Sequence, residues 1–310
     1  MTNNFMKKLL TKRKSKKKIP DSFLGALGII MLSMLPYFHD IITDMDGLKS
    51  WVPNLGIESV LSDSEGNVLG FSTYRVFLYT LLIFLFATIG WAGWYQSAKD
   101  KFYGSALLLA MSSGFYHVFL IVFELRRTVW NEPFPKLILL AILFLVLGSL
   151  LIKREGITMR KTFLWILLLI VATLPFFHDV ISQRGVGLRS WVPNLGIEAM
   201  LTDSEGYVHG FLGYRQLVYF FCIHLFAHIC WIGWFMDSRG KKYRPFLLIP
   251  LAQSLYQLII ILMSWWESRL NDVDIKVYIT VILGILLAIN FYYNNKVSPK
   301  TEVATENEQP

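Results

Sequence analysis

Gly47–Glu58 reads GLKSWVPNLGIE and Gly187–Glu198 reads GLRSWVPNLGIE, eleven of twelve letters identical at an offset of 140 positions. The same offset pairs Tyr74-Arg75 with Tyr214-Arg215, and Trp91-x-Gly93-Trp94 with Trp231-x-Gly233-Trp234. One residue less brings Pro36-x-x-His39-Asp40 onto Pro175-x-x-His178-Asp179. The chain therefore reads as a tandem duplication. Val76–Gly90 and Gln216–Cys230 share only six letters of fifteen, so the twelve-residue segment has been held still while its neighbours drifted.

Composition sets the class in which the repeat sits. Hydrophobic residues make up 54% of the 310 and charged residues only 17%, against roughly 25% charged in soluble domains. The apolar residues fall in about eight runs near the ~18 residues that cross a bilayer: Ser22–Phe38, Val76–Tyr95, Gly104–Phe123, Pro135–Ile152, Thr162–Phe177, Gln216–Met236, Pro245–Trp266 and Ile275–Tyr293. They mostly lack the polar face that a soluble helix of this length would show. The expected fold class is an all-α polytopic membrane protein, with about eight transmembrane helices arranged as two parallel four-helix repeats. The basic tail is 1–21, repeat one 22–152, a cytoplasmic linker 153–161, repeat two 162–293 and a disordered cytoplasmic tail 294–310. Four spans per half is an even number, so the halves enter the membrane in the same direction, related by an axis along its normal.

With both termini cytoplasmic, the inner segments carry twenty Lys/Arg and the outer ones ten, which satisfies the positive-inside rule. Eight of the twenty lie in Lys7–Lys18, a run that suits a surface of anionic lipid. The net charge of +8 thus describes one tail, and a nucleic-acid partner is not expected. The basic start runs into the first span without an A-x-A-like site, which suggests a signal anchor in the cell inner membrane. Cys222 and Cys230 lie about 12 Å apart along one helix, too far to bridge.

Both repeated segments fall on the outer face. Ile57–Leu61, the turn Asp63–Gly66 and Val68–Phe71 read as a short β-hairpin, with a short helix ending at Leu61 as the competing reading. Topology puts His39, Asp40, Tyr74 and Arg75, and their copies His178, Asp179, Tyr214 and Arg215, at similar depth. Asp40–Arg75 and Asp179–Arg215 are expected ion pairs. If the symmetry axis joined the two His-Asp pairs, they would make an entrance, a ligand site or a four-ligand metal site.

The third span of each half carries a polar stripe. Ser113, Tyr116, His117 and Glu124 form the first, and Gln253, Tyr256, Gln257, Ser264 and Glu267 the second. Polar side chains at membrane depth face a bundle interior or a water-filled cavity, although one interhelical hydrogen bond explains His117 equally well. His224 and His228 share a helix face and form a weak metal or haem candidate without counterparts in the first half. There is no Gly-rich phosphate loop, no Cys-x-x-Cys and no Gly-x-Ser-x-Gly, and the sequence assigns no cofactor.

Three functions stay open. The leading one is transport, by a carrier or channel-like protein whose polar route runs between the third spans. The second is a membrane enzyme acting on a lipid headgroup, with His39 and His178 as bases and Arg75 and Arg215 on phosphate. The third is a non-catalytic component that docks a protein partner through Trp51–Glu58 and Trp191–Glu198.

Overall fold

The structure, a computed structural model, describes residues 21–44, 47–53, 55–155, 158–183, 187–193, 195–265 and 268–297. Residues 1–20 and 298–310 of the two tails therefore lie outside the described residues, as do Asn54, Asn194, Trp266, Glu267 and the side chain of Glu58, while 294–297, expected to open the disordered tail, continue the last helix. In chain order the helices are α1 Asp21–Ser33, α2 Leu35–Ile42, α3 Ile57–Leu61, α4 Tyr74–Ala98, α5 Leu107–Val122, α6 Pro133–Glu155, α7 Met159–Thr173, α8 Phe177–Ile181, α9 Ile197–Leu201, α10 Tyr214–Asp237, α11 Leu248–Leu262 and α12 Val273–Val297. Among the described residues seven helical stretches are long and apolar enough to cross a membrane, and the bent pair α1–α2 brings the number to eight if it forms one broken span. The protein is thus a multi-pass helical membrane protein.

Proline shapes the first span of each half. Pro36 and Pro175 each lack the N–H that would continue the helix. The chain bends by 58° between α1 and α2, and passes through a 3-10 turn, Leu174–Phe176, between α7 and α8. Each break isolates a short helix that carries the His-Asp pair.

The expected hairpin at 57–71 is not a ladder. Ile57–Leu61 is one helical turn, α3, entered through Gly56 at φ 70°, and only isolated bridges join Ser62, Val68 and Phe71. The Asp63 carboxylate accepts from the backbone N–H groups of Glu65 and Asn67 and closes a tight turn instead. The antiparallel pairing lies earlier, where β1 Thr43–Asp44 meets β2 Gly47–Leu48 and β3 Ser182–Gln183 meets β4 Gly187–Leu188.

At the centre α4 and α10 run parallel in the heaviest pairing of the molecule. Gly93 accepts the indole of Trp234 against its Cα, and Gly233 accepts that of Trp94. Near the other end of the same pair, the Tyr79 hydroxyl lies 2.8 Å from His224 Nε2. Parallel running puts both duplicated loops at one end of the bundle, the loop end. Between these contacts Ile83, Phe86, Ala87, Trp91, Ile223, Phe226 and Trp231 are all but fully buried.

The two sequence halves are not two separate four-helix bundles. α7 packs on α5 and α6 of the other half, and α1 packs on α11 and α12. Tyr37 of α2 shares a hydrogen bond with Thr280 of α12. The first part of each first span is thereby exchanged into the opposite half, while α2 and α8 stay packed on α4 and α10 of their own half. α6 and α12 form the flanks, where Leu145, Leu150, Ile282 and Ile285 stay exposed, as lipid-facing residues do.

Candidate functional site

The His-Asp pair of each first span becomes the hub of a buried charge cluster. On α2, Asp40 Oδ1 lies 3.1 Å from His39 Nε2 and 2.5 Å from Arg75 Nη2, and its Oδ2 lies 3.7 Å from Lys276 Nζ. On α8, Asp179 Oδ1 lies 3.2 Å from His178 Nε2 and also pairs with Arg215, and its Oδ2 lies 3.3 Å from Lys136 Nζ. The rings repeat as well: His39 meets Tyr79 and His178 meets Tyr219, each at 4.8 Å and 70°. Each lysine belongs to the fourth span of the half opposite its carboxylate, so the span exchange assembles both clusters.

The repeated loop is fastened to these hubs. Lys49 Nζ donates to the Asp40 carbonyl at 2.6 Å. Arg189 donates through Nη2 and Nε to the Asp179 carbonyl at 3.1 and 3.3 Å. The one exchanged letter of the twelve thus keeps its cation and its contact.

Lys136 and Lys276 are the residues the sequence reading missed. Their side chains are only 2% and 5% exposed. Each stands alone at the head of an apolar run, where a lysine is ordinarily read as snorkelling to the interface. The available signal was their spacing, since Lys276 follows Lys136 by the repeat offset of 140.

The two His-Asp pairs do not join. The aromatic seam of α4 and α10 stands between the halves, and each carboxylate is already held by cations of its own. Among the described residues no group of three His, Cys, Asp or Glu could hold a metal. The His224–His228 pair serves two different neighbours: His224 faces Tyr79, and His228 Nδ1 lies 2.9 Å from Ser254 Oγ on α11.

The third-span stripes separate too. α5 packs on α4 and α11 on α10, so the two stripes stand on either side of the central pair. Ser113 and His117 are buried on α5, and Gln253 and Gln257 on α11. Gln253 Nε2 donates to the Lys276 carbonyl at 3.0 Å and to Thr280 Oγ1 at 2.6 Å, so it anchors the turn that bears the lysine. The Tyr116 and Tyr256 hydroxyls donate to the carbonyls of Trp130 and Leu270 and pin the segments after each helix. Glu124 and Ser264 take positive φ, both 56°, just past the helix ends, and Glu124 is exposed. Tyr74 is buried against Phe77 at the head of α4, and Tyr214 is half-buried at the head of α10.

Beside the second cluster lies a cavity of about 470 Å³, reaching from Phe71, Arg126, Asn131 and Leu212 in the loops to His117 and Phe84. Along α4 its wall runs from Val76 to Phe84, about 12 Å at 1.5 Å per residue. Arg126, Lys136 and Arg215 line it together with one carboxylate, Asp179. The rest of the lining mixes aromatic and aliphatic side chains with the uncharged polar Thr80, Asn131 and Gln216 and the two histidines His117 and His178. His117 is sandwiched between Phe84 and Phe176, at 4.7 and 5.9 Å. Its Nδ1 lies 2.8 Å from the Ser113 carbonyl, while its buried Nε2 has no partner. In the second half Gln257 replaces this histidine and Trp266 replaces Arg126.

Comparison with protein-family models, curated proteins and solved structures returned no match to this chain. The class rests on the helices and the site on its own geometry.

Proposed function

We propose that this membrane protein binds the anionic head of an amphiphile in the cavity beside Asp179, and acts on that molecule as a carrier does. The observation that carries the reading is a half-apolar cavity at membrane depth lined by Arg126, Lys136 and Arg215 against a single carboxylate. Lys136 and Arg215 share the one carboxylate, Asp179, so the lining keeps a positive excess that a phosphate or carboxylate head would complement. The apolar wall suits the chain that follows such a head. A fixed channel between the third spans is less well supported, because the sealed Trp91–Trp231 seam lies where it would run. The duplication, the outward-facing mouth and the placement in a cell membrane belong to this same reading.

The test uses the full chain in nanodiscs of zwitterionic phosphatidylcholine doped with phosphatidic acid, and native mass spectrometry counts retained lipid. Phosphatidic acid should be enriched on the protein, and Lys136→Met should lower that enrichment several-fold. Equal retention of the two lipids by the unmodified protein would sink the proposal.

A second reading has its own support. Trp51, Leu55 and Val60 of one loop, and Trp191, Leu195 and Met200 of the other, are exposed apolar residues at matching positions on one end. Such a surface suits docking of another membrane component. A photo-crosslinker at Val60 that captures only lipid would count against a protein partner.

A further inference from the structure

Both hubs hold one aspartate, one histidine, one arginine and one lysine, so charge alone cannot choose between them. Access does. Among the described residues the cavity lining includes His178, Asp179, Lys136 and Arg215 but not their counterparts His39, Asp40, Lys276 and Arg75. Towards the Asp40 hub the wall is Tyr79. Its ring meets His39 at 4.8 Å and so stands between the cavity and that hub.

The second hub has a matching tyrosine, since Tyr219 meets His178 at the same distance. The surroundings of the two rings differ. The Tyr79 hydroxyl lies 2.8 Å from His224 Nε2. Its ring is braced by Phe220 at 5.4 Å, which packs in turn on Phe211 at 5.2 Å. In the first half the positions of His224 and Phe220 are held by Phe84 and Thr80. A phenyl ring offers no nitrogen to a tyrosine hydroxyl. Tyr219 is hydrogen-bonded to Thr80 on the facing helix instead, and Thr80 donates to the Val76 carbonyl at 2.8 Å. A threonine there fills far less space than the phenyl ring at 220. Thr80 and Phe84 both line the cavity.

Resting on the anionic-head reading above, we infer that the chain holds one anionic head, at the Asp179 hub, and that the Asp40 hub is its closed copy. Tyr79, held by His224 and Phe220, shuts the one; Thr80 and Phe84 leave the other open. Arg126 adds a third cation on the open side, where the second half has Trp266. The residue pair Thr80 and Phe220 thus sets how many ligands the duplicated chain takes and which hub meets them.

The experiment uses the full chain in phosphatidylcholine nanodiscs doped with phosphatidic acid, and native mass spectrometry counts the lipid held per chain. Lys136→Met and Lys276→Met remove the same cation from matching hubs, so a merely structural role would move both alike. The unmodified protein should hold one phosphatidic acid. Lys136→Met should lower its retention several-fold, and Lys276→Met should leave it unchanged. Thr80→Phe puts into the cavity the ring found at 220 and should also lower retention several-fold, whereas Thr80→Ser should keep it. Phe220→Thr with His224→Phe gives the second half the residues of the first and should raise the count to two, the added lipid alone being lost with Lys276→Met. If the double variant loses its unfolding transition in detergent, the lysine and Thr80 pairs decide. Two lipids on the unmodified protein, equal losses in the two lysine variants, or full retention by Thr80→Phe would overturn the one-sided inference and leave the anionic-head reading standing. No enrichment of phosphatidic acid, or no effect of Lys136→Met, would remove that reading and this inference with it.

Discussion

The seam between α4 and α10 should respond to one methyl group. A Cβ built on Gly93 would sit 2.5 Å from Trp234 Cε3 and 2.6 Å from Cδ2. Carbon pairs prefer about 3.5–4.0 Å, so the indole or the helix must move by roughly 1 Å. Trp234 has little room, because it stacks at 5.3 Å on Trp231, which is fully buried. Overpacking of this kind costs about 1–3 kcal/mol. Gly93→Ala should therefore lower the unfolding temperature in detergent. Gly148→Ala is the control, since its Cβ would meet nothing within 4 Å, and replacing a helical glycine by alanine gains roughly 0.5–1 kcal/mol. The double variant Gly93→Ala/Trp234→Phe isolates the contact. Trp234 Nε1 has no hydrogen-bond partner, so trimming the indole breaks no such bond, whereas Trp94 Nε1 donates to Asp237 at 2.7 Å. Part of the loss should return, with a coupling of about 1 kcal/mol. If Gly93→Ala unfolded together with Gly148→Ala, the parallel seam would be wrong.

Other consequences are equally direct. Gly25→Cys with Tyr243→Cys should cross-link on mild oxidation, because the Cβ atoms would lie 3.9 Å apart, inside the disulfide range; no cross-link would argue against the exchange of first spans. Asp40→Asn or Asp179→Asn leaves a buried lysine and an arginine without their carboxylate, and should destabilise by about 3–5 kcal/mol in detergent unfolding. In the loop, the backbone N–H of Asn67, helped by its side chain, by the N–H of Glu65 and by Arg127, holds the Asp63 carboxyl below its usual 3.8. Its contribution to loop order is full above that value and fades as pH falls towards the lower folded one. Hydrogen exchange at the Asn67 amide should speed up on that acid limb, and Asp63→Asn should abolish the limb.

Much of the fold could be read from the sequence because membrane physics leaves few choices. Long apolar runs must be helices, and the offset of 140 identifies matching pieces. The exchange of first spans could not be read, because all spans are similarly apolar and sequence order says nothing about which helix each one touches. The hub carboxylates were legible as His-Asp pairs facing Arg75 and Arg215. Lys136 and Lys276 were not, since a lysine at the end of a span normally reaches water. At 57–61 the competing reading of a short helix fits, because IESVL places its apolar letters at i, i+3 and i+4, the spacing of one helical turn. Gly56 and Gly196 at φ 70° and 71° tip the balance to the turn.

The near-invariance of the twelve-residue loop needs a cause, and packing supplies only part of it. Lys49 and Arg189 fasten each loop to an aspartate carbonyl, which accounts for a cation at that position. It does not account for Trp51 and Trp191, both 62% exposed, or for Leu55 and Leu195, at 76% and 73%. Residues so exposed make few contacts within the chain, and surface substitutions of this kind usually shift stability by less than about 0.5 kcal/mol. Whatever held their identity therefore lies outside the chain, in the headgroup layer where indoles settle or in a docked component. Trp51→Ser combined with Trp191→Ser separates the two origins of constraint. Unfolding in detergent should be unchanged, while the indole signal that responds to brominated lipid in nanodiscs should fall. A loss of more than about 1 kcal/mol in detergent would place the constraint inside the fold, and the external contact would no longer be needed to explain it.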